Sequence, residues 1–324
     1  MENELLRSIW QRIELSWAET NACPEYIEFA RLALSGERRA GEVTTGGSSR
    51  WALLPGLCCQ AAGGDPLWAD DIAAAWLMFY LAADLMDSVE DQDEPDAWWA
   101  DYGPAAAINA ATGLFFAASR SLNRLYHREE FVSCASELVE GFHTSFIRMC
   151  GGQYQDMTIS EPSLEQYWKI AESKSGTFFF LACRSGARLA IDDKDRLDCF
   201  GSFGNHLGLL IQVLDDLDDL HGLSVAVLPK KSSFMFHSLP VVYALNVVPP
   251  PTSRRLKECL LEASHNDHSS QEAYDILENS GVVLYVMTEI EHHKKKAIEC
   301  LESASPQSPA GEKLVELINR LDST

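Results

Sequence analysis

The sequence predicts an all-α fold, formed as a single domain over residues 1–324. Apolar residues recur at the three- and four-residue spacing of helices along nearly all of the chain, and alternating β-branched segments are scarce. Hydrophobic residues make up 46% of the 324 residues, which is enough for a substantial core. No linker or internal repeat divides the chain, which makes a helical solenoid the weaker alternative.

The first half of the chain is predicted to contain apolar helices separated by polar breaks. The first helix is indicated by an apolar stripe at Leu5, Ile9, Ile13 and Trp17. The glycine-rich stretch 41–50 is predicted to be irregular, and Pro104 is predicted to lie in the first turn of its helix. The other helices in this half are predicted over 26–36, 51–62, 66–89, 104–126 and 129–150.

The second half is predicted to be equally helical. The three prolines 249–251 are a hard break, because proline cannot continue a helix. The basic run His292–Lys296 is predicted to form a solvated helix face. Helices are predicted over 163–191, 193–221, 238–247, 252–264, 270–279, 281–304 and 310–321.

The charge of the chain restricts its partners. The sequence carries 48 acidic and 26 basic residues, a formal charge of −22. Such a surface repels nucleic acid and anionic lipid, so neither is expected as a partner. An anionic ligand would need bound cations that reverse the charge locally.

The cysteines and the N-terminus predict a cytoplasmic protein. The nine cysteines show no C-x-x-C spacing, which is typical of reduced thiols. The acidic N-terminus lacks the pattern of a signal peptide. The longest apolar run, residues 72–83, is shorter than the roughly 18 residues needed to span a bilayer, so no stable membrane insertion is expected.

Two carboxylate clusters carry the functional hypothesis. Asp215 and Asp219 are four residues apart in an otherwise apolar helix, with Asp216 and Gln212 beside them. Like charges at this spacing destabilise a helix unless a divalent cation bridges them, and clustered oxygen ligands suit Mg²⁺. A solvated acidic face is the alternative.

The second cluster follows the long apolar run. Asp84, Asp87 and Asp91 lie on one helical face where the helix leaves the predicted core. The alternative is a helix that simply emerges into water. Two such helices facing each other would hold metal ions between them, with a diphosphate across the metals.

Several motifs together resemble those of the polyprenyl synthetase family, the trans-isoprenyl diphosphate synthases. Residues 212–219 (Q-V-L-D-D-L-D-D) match its second aspartate-rich motif, Q-x-x-D-D-x-x-D. Residues 172–177 are similar to its K-T/S motif, and residues 152–156 to its G-Q-x-x-D motif. The similarity spans roughly residues 40 to 300, and residues 239–245 resemble the helix after its flexible lysine loop.

The resemblance implies an isoprenoid-synthase helical bundle around a deep apolar pocket, with three Mg²⁺ ions and an allylic isoprenyl diphosphate at its mouth. A homodimer is also implied. The implied metal ligands are Asp84, Asp87, Asp215, Asp216 and Asp219. The implied catalytic residues are Lys174, Gln212 and Asp215. The implied substrate-binding residues are Arg50, Phe79, Tyr80, Gln153, Lys174, Phe178, Gln212, Lys230 and Lys231.

The sequence also departs from the family pattern. Ala83 stands where the first motif has an aspartate, residues 93–104 lack the usual arginines, and Arg50 is the one base left of an upstream G-K-R-x-R-P motif. In the family those bases bind the diphosphate of isopentenyl diphosphate. Such a group needs about two or more charge-assisted contacts, so their loss disfavours chain elongation.

These departures predict terpene-synthase-like cyclisation or elimination of one allylic diphosphate. Met78, Phe79 and Tyr80 stand where bulky residues limit chain length in the family, which suggests a C10–C15 substrate, with C20 as the extension. The alternative is a prenyltransferase that makes short-chain isoprenyl diphosphates with isopentenyl diphosphate. Prenyl transfer to another acceptor and a non-catalytic modulatory subunit are the remaining hypotheses.

Overall fold

The computed structural model describes residues 2–18, 20–35, 51–91, 99–224, 234–263 and 266–322. Within these ranges the regular elements are helices and no strand occurs, which confirms the predicted all-α fold. The predicted substrate-binding residues Arg50, Lys230 and Lys231 lie outside the described residues.

The helices follow the predicted order. The α-helices are α1 Glu2–Trp17, α2 Pro24–Ser35, α3 Leu54–Ala61, α4 Asp70–Asp91, α5 Pro104–Asn123, α6 Val132–Thr158, α7 Leu164–Ala171, α8 Thr177–Arg188, α9 Lys194–Ser224, α10 Leu239–Val247, α11 Pro250–Glu262, α12 Asp267–Asn279, α13 Val282–Ser303 and α14 Ala310–Asn319. Short 3₁₀ turns cover Pro66–Ala69, Arg124–His127, Phe234–His237 and Arg320–Asp322, and a π-helical turn covers Glu172–Gly176.

Local sequence explains where the helices begin. α5 begins at Pro104, as predicted, because proline has no N–H to leave unpaired in a first turn. α7 begins after Ser163, whose Oγ accepts a hydrogen bond from the Gln166 backbone N–H at 3.2 Å. The Gln166 side chain accepts in return from the Ser163 backbone N–H at 2.9 Å, which completes a capping box.

The first of two compact units comprises residues 1–144, 181–201 and 301–317. Its central helix is α4, which packs against α5 and α1. Trp76 and Met78 are fully buried there, and Phe79 packs between Phe115 and Phe142 with ring centroids 5.9 and 5.8 Å away. Burial of one such large side chain stabilises the fold by about 1.5–3 kcal/mol, so α4 is the main source of core in this unit.

The second unit comprises residues 145–180, 202–300 and 318–324. In it α10 packs against α7, and α11 packs against α12. Tyr243 of α10 stacks on Tyr285 of α13 at a centroid distance of 4.2 Å. The boundaries between the two units fall inside helices, and a single domain over residues 1–324 stays a prediction.

One helical stretch, Pro66–Glu90, is long and apolar enough to cross a membrane by length and composition. This corrects the sequence estimate, which stopped the apolar run at Ala83. Of its most apolar window, 61% is buried inside the protein. Such burial is typical of the core helix of a soluble protein.

The basic run on α13 is only partly the solvated face that was predicted, because His292, Lys295 and Lys296 are exposed but the two residues between them are buried. His293 is 6% exposed and Lys294 is 7% exposed. The His293 ring lies 5.3 Å from the ring of Trp168 and 5.3 Å from that of His206. The prediction therefore holds for three of the five residues and is wrong for His293 and Lys294, because a run of charges does not reveal which side of a helix faces the core.

Candidate functional site

The first pair of predicted metal ligands lies on the second half of α4. Asp84 is exposed and Asp87 is half-buried, whereas Leu85 between them is buried. α4 therefore emerges from the core at Asp84, as the sequence indicates. Both carboxylates belong to the first unit.

The second pair lies on α9, in the second unit, and its two members differ. Asp215 is exposed, whereas Asp216 is 6% exposed. Consecutive helical residues point about 100° apart, so adjacent aspartates cannot share one environment. α9 continues through Asp219, whose side chain lies outside the described part of the chain.

The buried carboxylate of Asp216 is the centre of a hydrogen-bond network. Its Oδ1 accepts from Gln212 Nε2 at 3.0 Å. Its Oδ2 accepts from the Tyr167 hydroxyl at 2.6 Å and from the Leu239 backbone N–H at 2.7 Å. Burial, followed by the nearby Asp216 charge, raises the pKa of Tyr167 well above its ordinary value, so the phenol keeps its proton and donates.

This network connects Asp216 to the lysine motif. Gln212 Oε1 accepts a hydrogen bond from Ser175 Oγ at 2.8 Å, while the same amide donates to Asp216. Both ends of the Gln212 amide are therefore fixed. The geometry suits Asp216 to orienting Gln212, and a direct metal bond from Asp216 stays a prediction.

The lysine motif adopts a π-helical turn, Glu172–Gly176, where the sequence predicts an uninterrupted helix over 163–191. The turn is wide because α9 lies against its backbone. A Cβ added to Gly208 would lie 2.3 Å from the Ser175 carbonyl oxygen, so the close approach requires glycine. Single π turns inside α-helices occur frequently at functional sites.

Lys174, within this turn, pairs with a carboxylate on α6. Its Nζ donates to Asp156 Oδ2 at 2.6 Å, and Nδ1 of His237 lies 2.9 Å from Asp156 Oδ1. Burial raises the pKa of Asp156, but the hydrogen bonds and charges of His237 and Lys174 outweigh it, so the pKa lies below its ordinary value. Asp156 is therefore an anion that joins two basic side chains.

The side-chain amide of Gln153 is incompletely satisfied. Within the described residues, its Oε1 is buried without a hydrogen-bond partner. Such a group costs about 1–3 kcal/mol unless it is satisfied. The substrate-binding role of Gln153 stays a prediction.

The predicted aromatic substrate-binding residues are found in two settings. Phe178 is 4% exposed and makes edge contacts with Phe146 and Phe179. Phe79 is likewise buried, whereas Tyr80 is half-buried and stacks on Trp76 at 5.8 Å. The buried rings are core residues, and any contact of these residues with substrate stays a prediction.

The donor atoms fit Mg²⁺. Within the described residues no group of three or more His, Cys, Asp or Glu side chains is arranged to hold a metal ion by itself. Mg²⁺ is commonly held by one or two carboxylates together with water and substrate phosphates. The accessible carboxylates of Asp84 and Asp215 supply hard oxygen donors of this kind.

Sequence reasoning missed two residues of this site, Tyr167 and His237. Tyr167 precedes a tryptophan in an amphipathic helix, a pattern typical of a core residue. His237 contacts a carboxylate 81 positions earlier in the chain. The one available signal was its position three residues before Pro240, close to the predicted lysine loop.

Known proteins share sequence similarity with this chain. A short chain isoprenyl diphosphate synthase from Methanothermobacter thermautotrophicus is 26% identical over 276 residues, 82% of this chain and 83% of that protein. The tryptophan prenyltransferase ComQ of Bacillus subtilis subsp. natto is 23% identical over 216 residues, 66% of this chain and 64% of that protein.

A polyprenyl synthase from Caulobacter crescentus, solved with calcium and isoprenyl diphosphate, shares the fold. Its TM-score is 0.77 at 19% identity, with 99% of this chain and 94% of that chain covered. The family-level match is to polyprenyl synthetase and extends over residues 46–277, well over half of the sequence. The chain therefore belongs to the polyprenyl synthetase family.

Proposed function

We propose that this protein is a Mg²⁺-dependent prenyltransferase that joins an allylic isoprenyl diphosphate to isopentenyl diphosphate. The observation that carries the proposal is the fixed arrangement of Lys174, Gln212 and Asp216 within the family match. The Methanothermobacter relative, which aligns over most of both chains, is named for this reaction class.

The chain's own residues stabilise the charge that forms when the allylic substrate ionises. Lys174 keeps its ammonium within the π turn, where it can bind the leaving diphosphate while still donating to Asp156. Mg²⁺, when bound, would supply further positive charge to the diphosphate, and Asp84, Asp87 and Asp215 remain its predicted ligands. Apolar side chains would keep water from the carbocation.

The comparisons favour this prenyltransferase over terpene-synthase-like cyclisation, which the sequence alone favoured. The missing bases remain the argument for cyclisation, since Arg50 is the one base that remains of the upstream motif. Elongation therefore requires other groups to bind the second diphosphate. Residues Lys230 and Lys231 are candidates by sequence position.

A second candidate is transfer of the prenyl group to an acceptor other than isopentenyl diphosphate. It is favoured by the similarity to a tryptophan prenyltransferase over 66% of this chain, together with the lost bases. The same ionisation machinery would serve, because the two reactions differ in the nucleophile. A homodimer and a cytoplasmic location accompany either function as predictions.

The test is product analysis with purified protein, Mg²⁺ and geranyl, farnesyl or geranylgeranyl diphosphate, each with and without isopentenyl diphosphate. We expect longer diphosphates that appear solely when isopentenyl diphosphate is present. Hydrocarbons or alcohols formed from one allylic substrate alone would instead establish the cyclase. Pyrophosphate released only when a peptide or indole acceptor is added would establish the second candidate.

A further inference from the structure

Asp156 is held by basic side chains from two other elements. Lys174 comes from the π turn and His237 from the 3₁₀ turn Phe234–His237 that precedes α10. Each partner contacts a different carboxylate oxygen, so the plane of the carboxylate is fixed on both sides. The side chains of Asp156, Lys174 and His237 are 24%, 23% and 15% exposed, which leaves the cluster within reach of a ligand.

The charges of this cluster do not oppose an anion. Asp156 carries one negative charge, and its depressed pKa keeps it ionised near neutral pH. Lys174 balances that charge, so the cluster carries no net negative charge that would repel an anion. This contrasts with the chain as a whole, whose formal charge is −22.

The geometry fixes how Lys174 can meet a ligand. An ammonium group has three N–H donors, and one of them is committed to Asp156 Oδ2. The contact with the Asp156 carboxylate therefore helps to set the orientation of the Lys174 ammonium. The orientation of that carboxylate is set from the opposite side by the contact between His237 Nδ1 and Asp156 Oδ1.

We propose that His237 is a positioning residue for diphosphate binding, which acts by orienting Asp156 and, through it, the Lys174 ammonium. This inference rests on the proposed function, because it assigns Lys174 to the diphosphate. The nitrogen that contacts Asp156 is Nδ1, so His237 acts as a donor in the tautomer that carries its proton there. This role requires a hydrogen-bond donor at the position of Nδ1, and it does not require an imidazole ring.

Two amide variants of His237 test whether the position of the hydrogen-bond donor matters, or only the presence of a polar side chain. In His237→Asn, the side-chain nitrogen takes the place of the imidazole Nδ1 and can still donate to Asp156. In His237→Gln, the same amide is displaced by one methylene, so the donor is misplaced. His143, exposed on α6 outside the cluster, gives the control variant His143→Gln.

The experiment is calorimetric binding of inorganic pyrophosphate in excess Mg²⁺ to the full-length variants, together with steady-state kinetics. Loss of a hydrogen bond to a charged group corresponds to about a 10-fold weaker affinity, which we expect for His237→Gln. His237→Asn should lie within about 3-fold of wild type, and His143→Gln should equal it. In turnover, His237→Gln should raise KM for the allylic diphosphate more than it lowers kcat.

Equal pyrophosphate affinity for wild type, His237→Asn and His237→Gln would overturn the proposal. Equal weakening in both variants would also overturn it, because position would then not matter. A merely structural role would lower the thermal midpoint of His237→Gln and leave its affinity unchanged. Since pyrophosphate binding involves no chemistry, it tests His237 even if no isopentenyl-dependent product forms and the proposed function fails.

Discussion

The two units of this protein each bury an aspartate, but they stabilise it differently. In the first unit, the fully buried Asp71 accepts a hydrogen bond from Arg124 Nε at 2.6 Å, and its neighbour Asp70 accepts one from Arg12 Nε at 2.8 Å. In the second unit, Asp216 accepts from Tyr167, Gln212 and the Leu239 backbone, all of them uncharged donors.

The difference lies in the charge of the donors. Arg124, in the 3₁₀ turn that follows α5, pairs with Asp71 of α4, so a charged partner offsets the charge of this buried carboxylate. The donors named for Asp216 are neutral and orient its carboxylate, and the adjacent Asp215 is exposed. An exposed carboxylate is the kind of oxygen donor that Mg²⁺ takes together with water and phosphate.

The largest expected effect on stability comes from breaking the arginine-paired cluster. Asp71→Asn should lower the free energy of unfolding by about 3–5 kcal/mol, because it removes the counter-ion of the partly buried Arg124 guanidinium. Chemical denaturation measures this loss, and turnover per folded molecule should stay at the wild-type value. A loss below about 1 kcal/mol would show that the pair behaves like a surface ion pair.

The next effect is a pH dependence that arises at His293. Burial, followed by the charges of His206 and His292, lowers its pKa to about 4. Between pH of about 6.5 and 4 the unfolded state binds a proton that the native state does not, so stability is complete above this window and falls within it. The loss should reach roughly 3 kcal/mol.

The measurement is denaturant unfolding of wild type and His293→Gln across that pH range. The variant should lose less stability on acidification than wild type, because glutamine does not titrate. His143→Gln, at an exposed site, should follow the wild-type curve. Parallel curves for wild type and His293→Gln would contradict the assignment.

A smaller loss is expected where the donors are neutral. Asp216→Asn should cost about 2 kcal/mol in unfolding free energy, because its amide nitrogen would face one of the three donors. Tyr167→Phe in the same background should recover part of that loss, which a double-mutant cycle would measure. Strict additivity of the two changes would show that Tyr167 and Asp216 are not coupled.

The smallest effect is expected at an exposed ion pair of the same unit. Lys169 donates to Glu165 at 2.6 Å, with side chains 67% and 78% exposed. Lys169→Ala should leave the thermal midpoint within experimental error, because solvent screens such pairs. A clear drop in the midpoint would mean that charge pairing, rather than burial, distinguishes the clusters.

The sequence predicts the helices well because their apolar periodicity is local. α4 was identified as a core helix, and α9 as the helix that carries the second aspartate motif. The sequence could not predict that Asp215 is exposed and Asp216 is buried. Two adjacent aspartates look alike in sequence and differ only in the side of the helix on which each side chain lies. The π turn at Glu172–Gly176 was missed because the contact with Gly208 of α9 that widens it is a tertiary one.

The central claim is that α9 presents a metal and diphosphate site through Asp215. The direct measurement is Mg²⁺-dependent pyrophosphate release by Asp215→Asn beside Asp218→Asn, an exposed aspartate of the same helix at a variable position of the motif. We expect the rate of pyrophosphate release to fall by about 1,000-fold for Asp215→Asn and to stay at the wild-type value for Asp218→Asn. The stability of both variants should be unchanged. Wild-type release by Asp215→Asn would contradict the claim.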